Sequence, residues 1–185
     1  MLARMKIRML LACALLSLAG VSLGGAARAD DLAPGAKAPE WTLQGSDGKT
    51  YTASALKGKR GYVLAWFPKA FTGGCTAELE SLRDAQAELA KYDVDVFMVS
   101  FDPPEKNADF AKSLKANLVL LSDTKGDVAS AFDVSNLGGM YAKRWTFYVD
   151  KEGVVRFVDK NVNTGTAGAD IAKKLAELGL AKKGG

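Results

Sequence analysis

The chain has 185 residues, 48% hydrophobic and 25% charged, which suits one soluble domain with a buried core. With no histidine and two cysteines, Ser-His-Asp and Cys-His catalysis, His-containing zinc patterns and a four-Cys zinc site are excluded. The formal charge of +4 would point to nucleic acid or anionic lipid if it were spread over the folded part of the chain.

It is not so spread. Residues 1–8 carry Arg4, Lys6 and Arg8 and no acid, an apolar run follows, and Ala27-Arg28-Ala29 has the small-x-small form of an export cleavage site. The dense apolar run is short for a bilayer span of roughly 20 residues, so residues 1–29 are expected to be a cleaved signal peptide rather than an anchor. Cys13 lies near the start of that run, where a lipoprotein cysteine would close it. Cleavage removes four of the 25 basic residues and no acid, leaving 21 against 21 and a neutral domain. Charge then gives no ground for a nucleic-acid or membrane partner. One cysteine, Cys75, remains, so no internal disulfide is possible. The expected location is the periplasm or the exterior.

Residues 30–40, rich in Ala, Pro and Gly, read as an extended lead-in. Trp41–Leu43 and Tyr51–Thr52 flank Gly45-Ser46-Asp47-Gly48-Lys49 and predict a small hairpin. Tyr62 to Phe67 is a continuous apolar run, the pattern of a strand buried on both faces. From Cys75 to about Tyr92, Leu79, Leu82, Leu89 and Tyr92 recur at helical spacing. Val94–Phe101 predicts a strand, Glu105–Lys115 a helix, Leu118–Leu121 a strand and Val128–Phe132 a short helix. Trp145–Val149 and Val154–Val158 predict a hairpin around Asp150-Lys151-Glu152-Gly153, and Ala169–Leu178 a last amphipathic helix. A polar tail, 181–185, follows. The sum is one α/β domain over 41–180 with a mixed central sheet flanked by helices and an N-terminal hairpin.

Cys75 is the informative residue. It follows a strand and a Pro- and Gly-containing loop and opens a helix, where outward-pointing N–H groups favour negative charge. A thiolate, not a thiol, is the nucleophile, and helix starts favour it. Thr72 offers a hydroxyl nearby, Gly73 and Gly74 permit close backbone approach, and Pro68 can shape the loop. Position alone leaves an inert cysteine on the buried helix face equally open.

Pro68-x-x-x-Thr72-x-x-Cys75 resembles the peroxiredoxin active-site motif, and AWFPKAFTGGCTAELESLRD is similar to the bacterioferritin-comigratory-protein branch of that family. The opening hairpin, the stretch from Val96 to Val134 and KRWTFYVDKEGVVRFV are also similar. The resemblance implies a thioredoxin-like fold and a thiol peroxidase that needs no cofactor or metal. Cys75 would attack a hydroperoxide and become sulfenic acid. Arg144 would stabilise the thiolate and the peroxide oxygens, Thr72 would hydrogen-bond both, and Pro68 would shield the pocket. Without the resemblance, Arg144 reads as an exposed charge beside Lys143. Many members of the branch carry a resolving thiol five positions after the reactive one; here that position is Glu80. The expectation is therefore a one-Cys cycle with an external thiol or thioredoxin-like reductant, in a monomer or homodimer. The alternative is a monothiol redox or binding module on the same fold. Glu78, one turn after Cys75, either touches the site or faces solvent.

Overall fold

The computed structural model describes residues 32–180. The expected signal peptide, Cys13 and the tail from 181 lie outside the described residues. In chain order the elements are β1 (Thr42–Gly45), β2 (Thr50–Thr52), α1 (Ala53–Leu56), β3 (Gly61–Trp66), α2 (Gly73–Asp84), α3 (Gln86–Leu89), β4 (Val94–Ser100) and α4 (Pro104–Ser113). Then come β5 (Leu120–Ser122), α5 (Asp127–Ala131), β6 (Ser135–Asn136), β7 (Tyr141–Ala142), β8 (Thr146–Val149), β9 (Val155–Asp159) and α6 (Ala167–Glu177).

Seven strands form one mixed sheet in the order β2-β1-β5-β4-β3-β8-β9. The β3–β4 and β4–β5 pairs are parallel, and β1, β8 and β9 pair antiparallel with their neighbours. β3 lies inside the sheet, between β4 and β8, and is buried throughout, as its unbroken apolar run requires. Its alternation divides the core. Val63, Ala65 and Phe67 pack with α2, α4 and α6 through Leu79, Leu82, Phe110, Ile171 and Leu175. Tyr62, Leu64 and Trp66 pack on the other face with Trp41, Phe97, Phe132 and Phe147. The α/β class, the mixed sheet and the opening hairpin are thus as the sequence predicts.

Three departures are local. The one-turn helix α1 follows the opening hairpin, where the sequence predicts no element. The single helix expected over 75–92 is two, parted at Ala85, with no Gly or Pro to mark the break. The break falls where Gly168 of α6 meets Ser81 and Ala85. Residues 135–142, for which the sequence predicts no element, form the small β6–β7 ladder. Among the described residues no helix is long and apolar enough to cross a membrane.

Candidate active site

The site forms at the carboxyl end of β3. Phe67 N–H still donates to Val99 O (2.9 Å), after which the chain leaves the sheet. Pro68 is half-buried in the loop that follows, and Ala70 is buried. Ala70 N–H donates to the Asp102 carboxylate at 2.7 Å. Phe71 then takes φ 65°, a left-handed conformation that costs a non-glycine residue roughly 1–2 kcal/mol. Its ring is 53% exposed and lies 5.0 Å from that of Phe110. The kink turns the chain into α2. Thr72 is the N-cap residue, with extended backbone and a carbonyl that accepts Thr76 N–H at 2.8 Å.

Cys75 is the third residue of α2, fully buried, with a free thiol. Its Sγ accepts a hydrogen bond from Arg144 Nη2 at 3.3 Å. The other arm of the guanidinium, Nη1, donates to Glu78 Oε2. Arg144 precedes β8, and its side chain is 22% exposed, so the pair opens to solvent on one side only. Gly74 makes room for it: a Cβ there would lie 3.3 Å from Nη2. Gly73 has open space around it, so the close approach expected of both glycines belongs to Gly74 alone.

Glu78 is completely buried, and its Oε1 has no hydrogen-bond partner. Burial pushes its carboxyl up to about 7, against the pull of the Arg144 charge and hydrogen bond. Burial also opposes the charge on Arg144, but Glu78 and Cys75 outweigh it and hold the guanidinium more firmly protonated than usual. One guanidinium therefore donates to both Cys75 Sγ and Glu78 Oε2, one helical turn apart.

The structure brings Cys75 and Arg144 together and sets Pro68 and Thr72 on the loop that leads into the helix. Arg144 is not the solvent-facing charge it resembles when read alone. Its neighbour Lys143 is the one that turns away, to the Asp133 carboxylate (3.2 Å) and the Trp145 ring (4.6 Å). Thr72 departs from expectation. Its hydroxyl donates to Lys69 O at 3.0 Å, so its only hydrogen is committed to its own loop rather than to the sulfur. Its lone pairs remain for an incoming O–H. Glu78, ambiguous in sequence, joins the site because three residues along a helix return to the same face. Asp102 carried no signal in the sequence beyond its place just after a strand. Trp41 and Trp66 are core residues, and Trp145 is half-buried. Among the described residues no group of acids and cysteine is arranged to hold a metal ion.

Such a site sets a cysteine sulfur against one arm of a guanidinium at a helix start, near a hydroxyl acceptor, which suits a thiolate's attack on a polar oxygen–oxygen bond. Comparison with known proteins agrees. The profile of the AhpC/TSA family matches residues 34–158. The chain is 37% identical over 134 residues to Peroxiredoxin Bcp of Escherichia coli, covering 69% of this chain and 85% of that protein. It is 35% identical over 127 residues to Alkyl hydroperoxide reductase E of Mycobacterium tuberculosis, covering 68% and 83%. Among solved structures, Peroxidoxin BcpB from Mycobacterium tuberculosis superposes with a TM-score of 0.69 at 34% identity, covering 78% of this chain and 95% of that one. The mixed sheet is thus the thioredoxin-like fold of those peroxidases.

Proposed function

The chain belongs to the AhpC/TSA family of peroxiredoxins, thioredoxin-fold thiol peroxidases, and from that premise we propose that it is an exported one-Cys peroxidase. The observation that carries this reading is Cys75 Sγ, buried at a helix start and 3.3 Å from Arg144 Nη2. In the oxidising step the Cys75 thiolate attacks the terminal oxygen of a hydroperoxide. A sulfur–oxygen bond forms, the oxygen–oxygen bond breaks, and water or alcohol leaves after taking a proton. Arg144 stabilises the negative charge as it moves from sulfur to the leaving oxygen. Thr72, its hydrogen already given to Lys69, accepts from the peroxide O–H. Pro68 limits the entry of water.

Cys75 becomes sulfenic acid, and no second thiol exists between residues 32 and 180 to resolve it. Glu80 occupies the position where many relatives in the branch carry a resolving thiol. An external thiol therefore attacks the oxidised sulfur, water leaves, and a second thiol exchanges the mixed disulfide back to Cys75. The basic start, apolar run and Ala27-Arg28-Ala29 of the sequence support export and cleavage before Asp30.

The test is consumption of hydrogen peroxide with dithiothreitol as reductant. Wild-type turnover and none with Cys75→Ser is expected; equal activity in the two overturns the reading. Mass spectrometry after one equivalent of peroxide should find a dimedone-trapped sulfenic acid at Cys75. Export is tested by the N-terminal sequence of protein recovered from the periplasm of a bacterial host, expected to begin at Asp30.

A further inference from the structure

The loop before Cys75 is held in a conformation it would not keep alone. Phe71 is left-handed, and the Thr72 hydroxyl is spent within the loop. Apart from the Thr72 carbonyl, which opens α2 by accepting Thr76 N–H, the bond from Ala70 N–H to Asp102 Oδ2 ties residues 68–72 to the far side of the sheet edge, beyond β4. Asp102 can reach Ala70 because β3 and β4 are parallel neighbours, so the chain leaves both strands at the same edge of the sheet.

That carboxylate is fixed from several sides. Ser100 Oγ shares its one hydrogen between Oδ2 at 3.2 Å and Asn107 Oδ1 at 3.3 Å, and accepts Asp102 N–H at 3.2 Å. Lys106, one turn into α4, pairs with Oδ1 at 2.5 Å. Behind them the fully buried Asn107 donates to Ser122 Oγ (2.9 Å), joining α4 to β5. A brace from two strands and a helix thus ends in one acceptor aimed at one loop amide.

We propose that Asp102 is a positioning residue for Cys75: by fixing Ala70 it sets the left-handed kink at Phe71 and hence where α2 begins and where Sγ meets Arg144. This rests on the peroxidase reading above. The acting group is the acceptor oxygen, not the charge. Asn can replace it and Ala cannot, and the Lys106 ion pair is dispensable.

The test compares Asp102→Ala, Asp102→Asn and Lys106→Met with wild type. One readout is the rate of Cys75 oxidation by hydrogen peroxide in stopped flow, and the other is the rate of Cys75 alkylation by iodoacetamide. For Asp102→Ala, oxidation should slow about tenfold or more while alkylation speeds up, and Asp102→Asn should recover oxidation to within about threefold. Lys106→Met should match wild type in both. Wild-type oxidation in Asp102→Ala overturns the proposal. So does an Asp102→Asn or Lys106→Met as slow as Asp102→Ala, since either would assign the effect to charge or general stability. If Asp102→Ala does not fold, Ser100→Ala decides: it should slow oxidation about threefold by freeing the carboxylate, and an unchanged rate refutes the role. A wild type that alkylates but does not react with peroxide sinks the peroxidase reading alone. Alkylation faster in Asp102→Ala than in the other three proteins would still establish the positioning.

Discussion

Arg144 Nη2 reaches Cys75 Sγ at 3.3 Å across a sequence separation of 69 residues. Strand register accounts for the meeting. β8 runs antiparallel to β3 with Thr146 opposite Ala65, so two residues further along Arg144 comes level with Phe67, where the loop to Cys75 departs. The cation is delivered by the sheet and the sulfur by the helix start, and each is placed independently of the other.

Replacing Arg144 by Met should lower the second-order rate with peroxide about 100-fold to 1000-fold, the usual cost of losing a donor to the developing charge. It also strands Glu78 in the interior without its cation, so stability should fall too. Adding Glu78→Gln to Arg144→Met should restore the thermal midpoint but not the rate. Recovery of both together would show that Arg144 acts only through stability. Arg144→Lys keeps the charge but offers a point donor in place of a planar fork, and should recover only part of the rate.

Glu78 predicts a pH dependence of stability with a definite sign. Burial raises its carboxyl from 4.5 to about 7 in the folded protein, with Arg144 pulling the other way. A raised carboxyl contributes its stability in full below the unfolded value and loses it as pH rises through the folded one. Urea midpoints of wild type should therefore fall relative to those of Glu78→Gln between pH 4.5 and 7 and run parallel above. Parallel curves across the whole range would contradict the burial of an ionisable group at this position.

The parts of this site differ in how far the sequence alone could carry them. Pro68, Thr72 and Cys75 lie on eight consecutive residues, and local geometry follows from local order. Arg144 depended on a resemblance, because its approach to Cys75 is set by the β3–β8 register, which no pattern within KRWTFYV encodes. Glu78 had a legible direction, one turn from Cys75, but not a legible depth. Its burial depends on the opposing Arg144, and polar residues on a helix ordinarily face water. The break at Ala85 and the β6–β7 ladder were invisible for a related reason. The first falls at a tertiary crossing, and the second has strands of two residues, too short for any periodicity.

The Thr72 hydroxyl offers a separable test. Because it donates to Lys69 O, it can act on substrate only as an acceptor. Thr72→Ser keeps both functions and should stay within about twofold of the wild-type peroxide rate, whereas Thr72→Val should lose about tenfold. Thermal midpoints should change little, since the residue is exposed. A Thr72→Val protein with the wild-type rate would remove the hydroxyl from the reaction.

Gly168 secures the far end of the helix that carries Cys75. A Cβ at this position would sit 2.3 Å from Ser81 O and 2.5 Å from Ala85 Cβ, so α6 can cross α2 at this distance only without a side chain. The Gly168 N–H also donates to Ser81 Oγ at 3.0 Å. Gly168→Ala should force the helices apart and cost about 1–3 kcal/mol, although alanine is the better helix former. Ser81→Ala removes the hydrogen bond without crowding, and should cost about 1 kcal/mol. In a domain of this size each kcal/mol lowers the thermal midpoint by a few degrees, so Gly168→Ala should melt at or below Ser81→Ala. An unchanged midpoint in Gly168→Ala would mean that α6 can back away from α2 freely, and the packing of these helices would then not fix the line along which α2 presents its first turn.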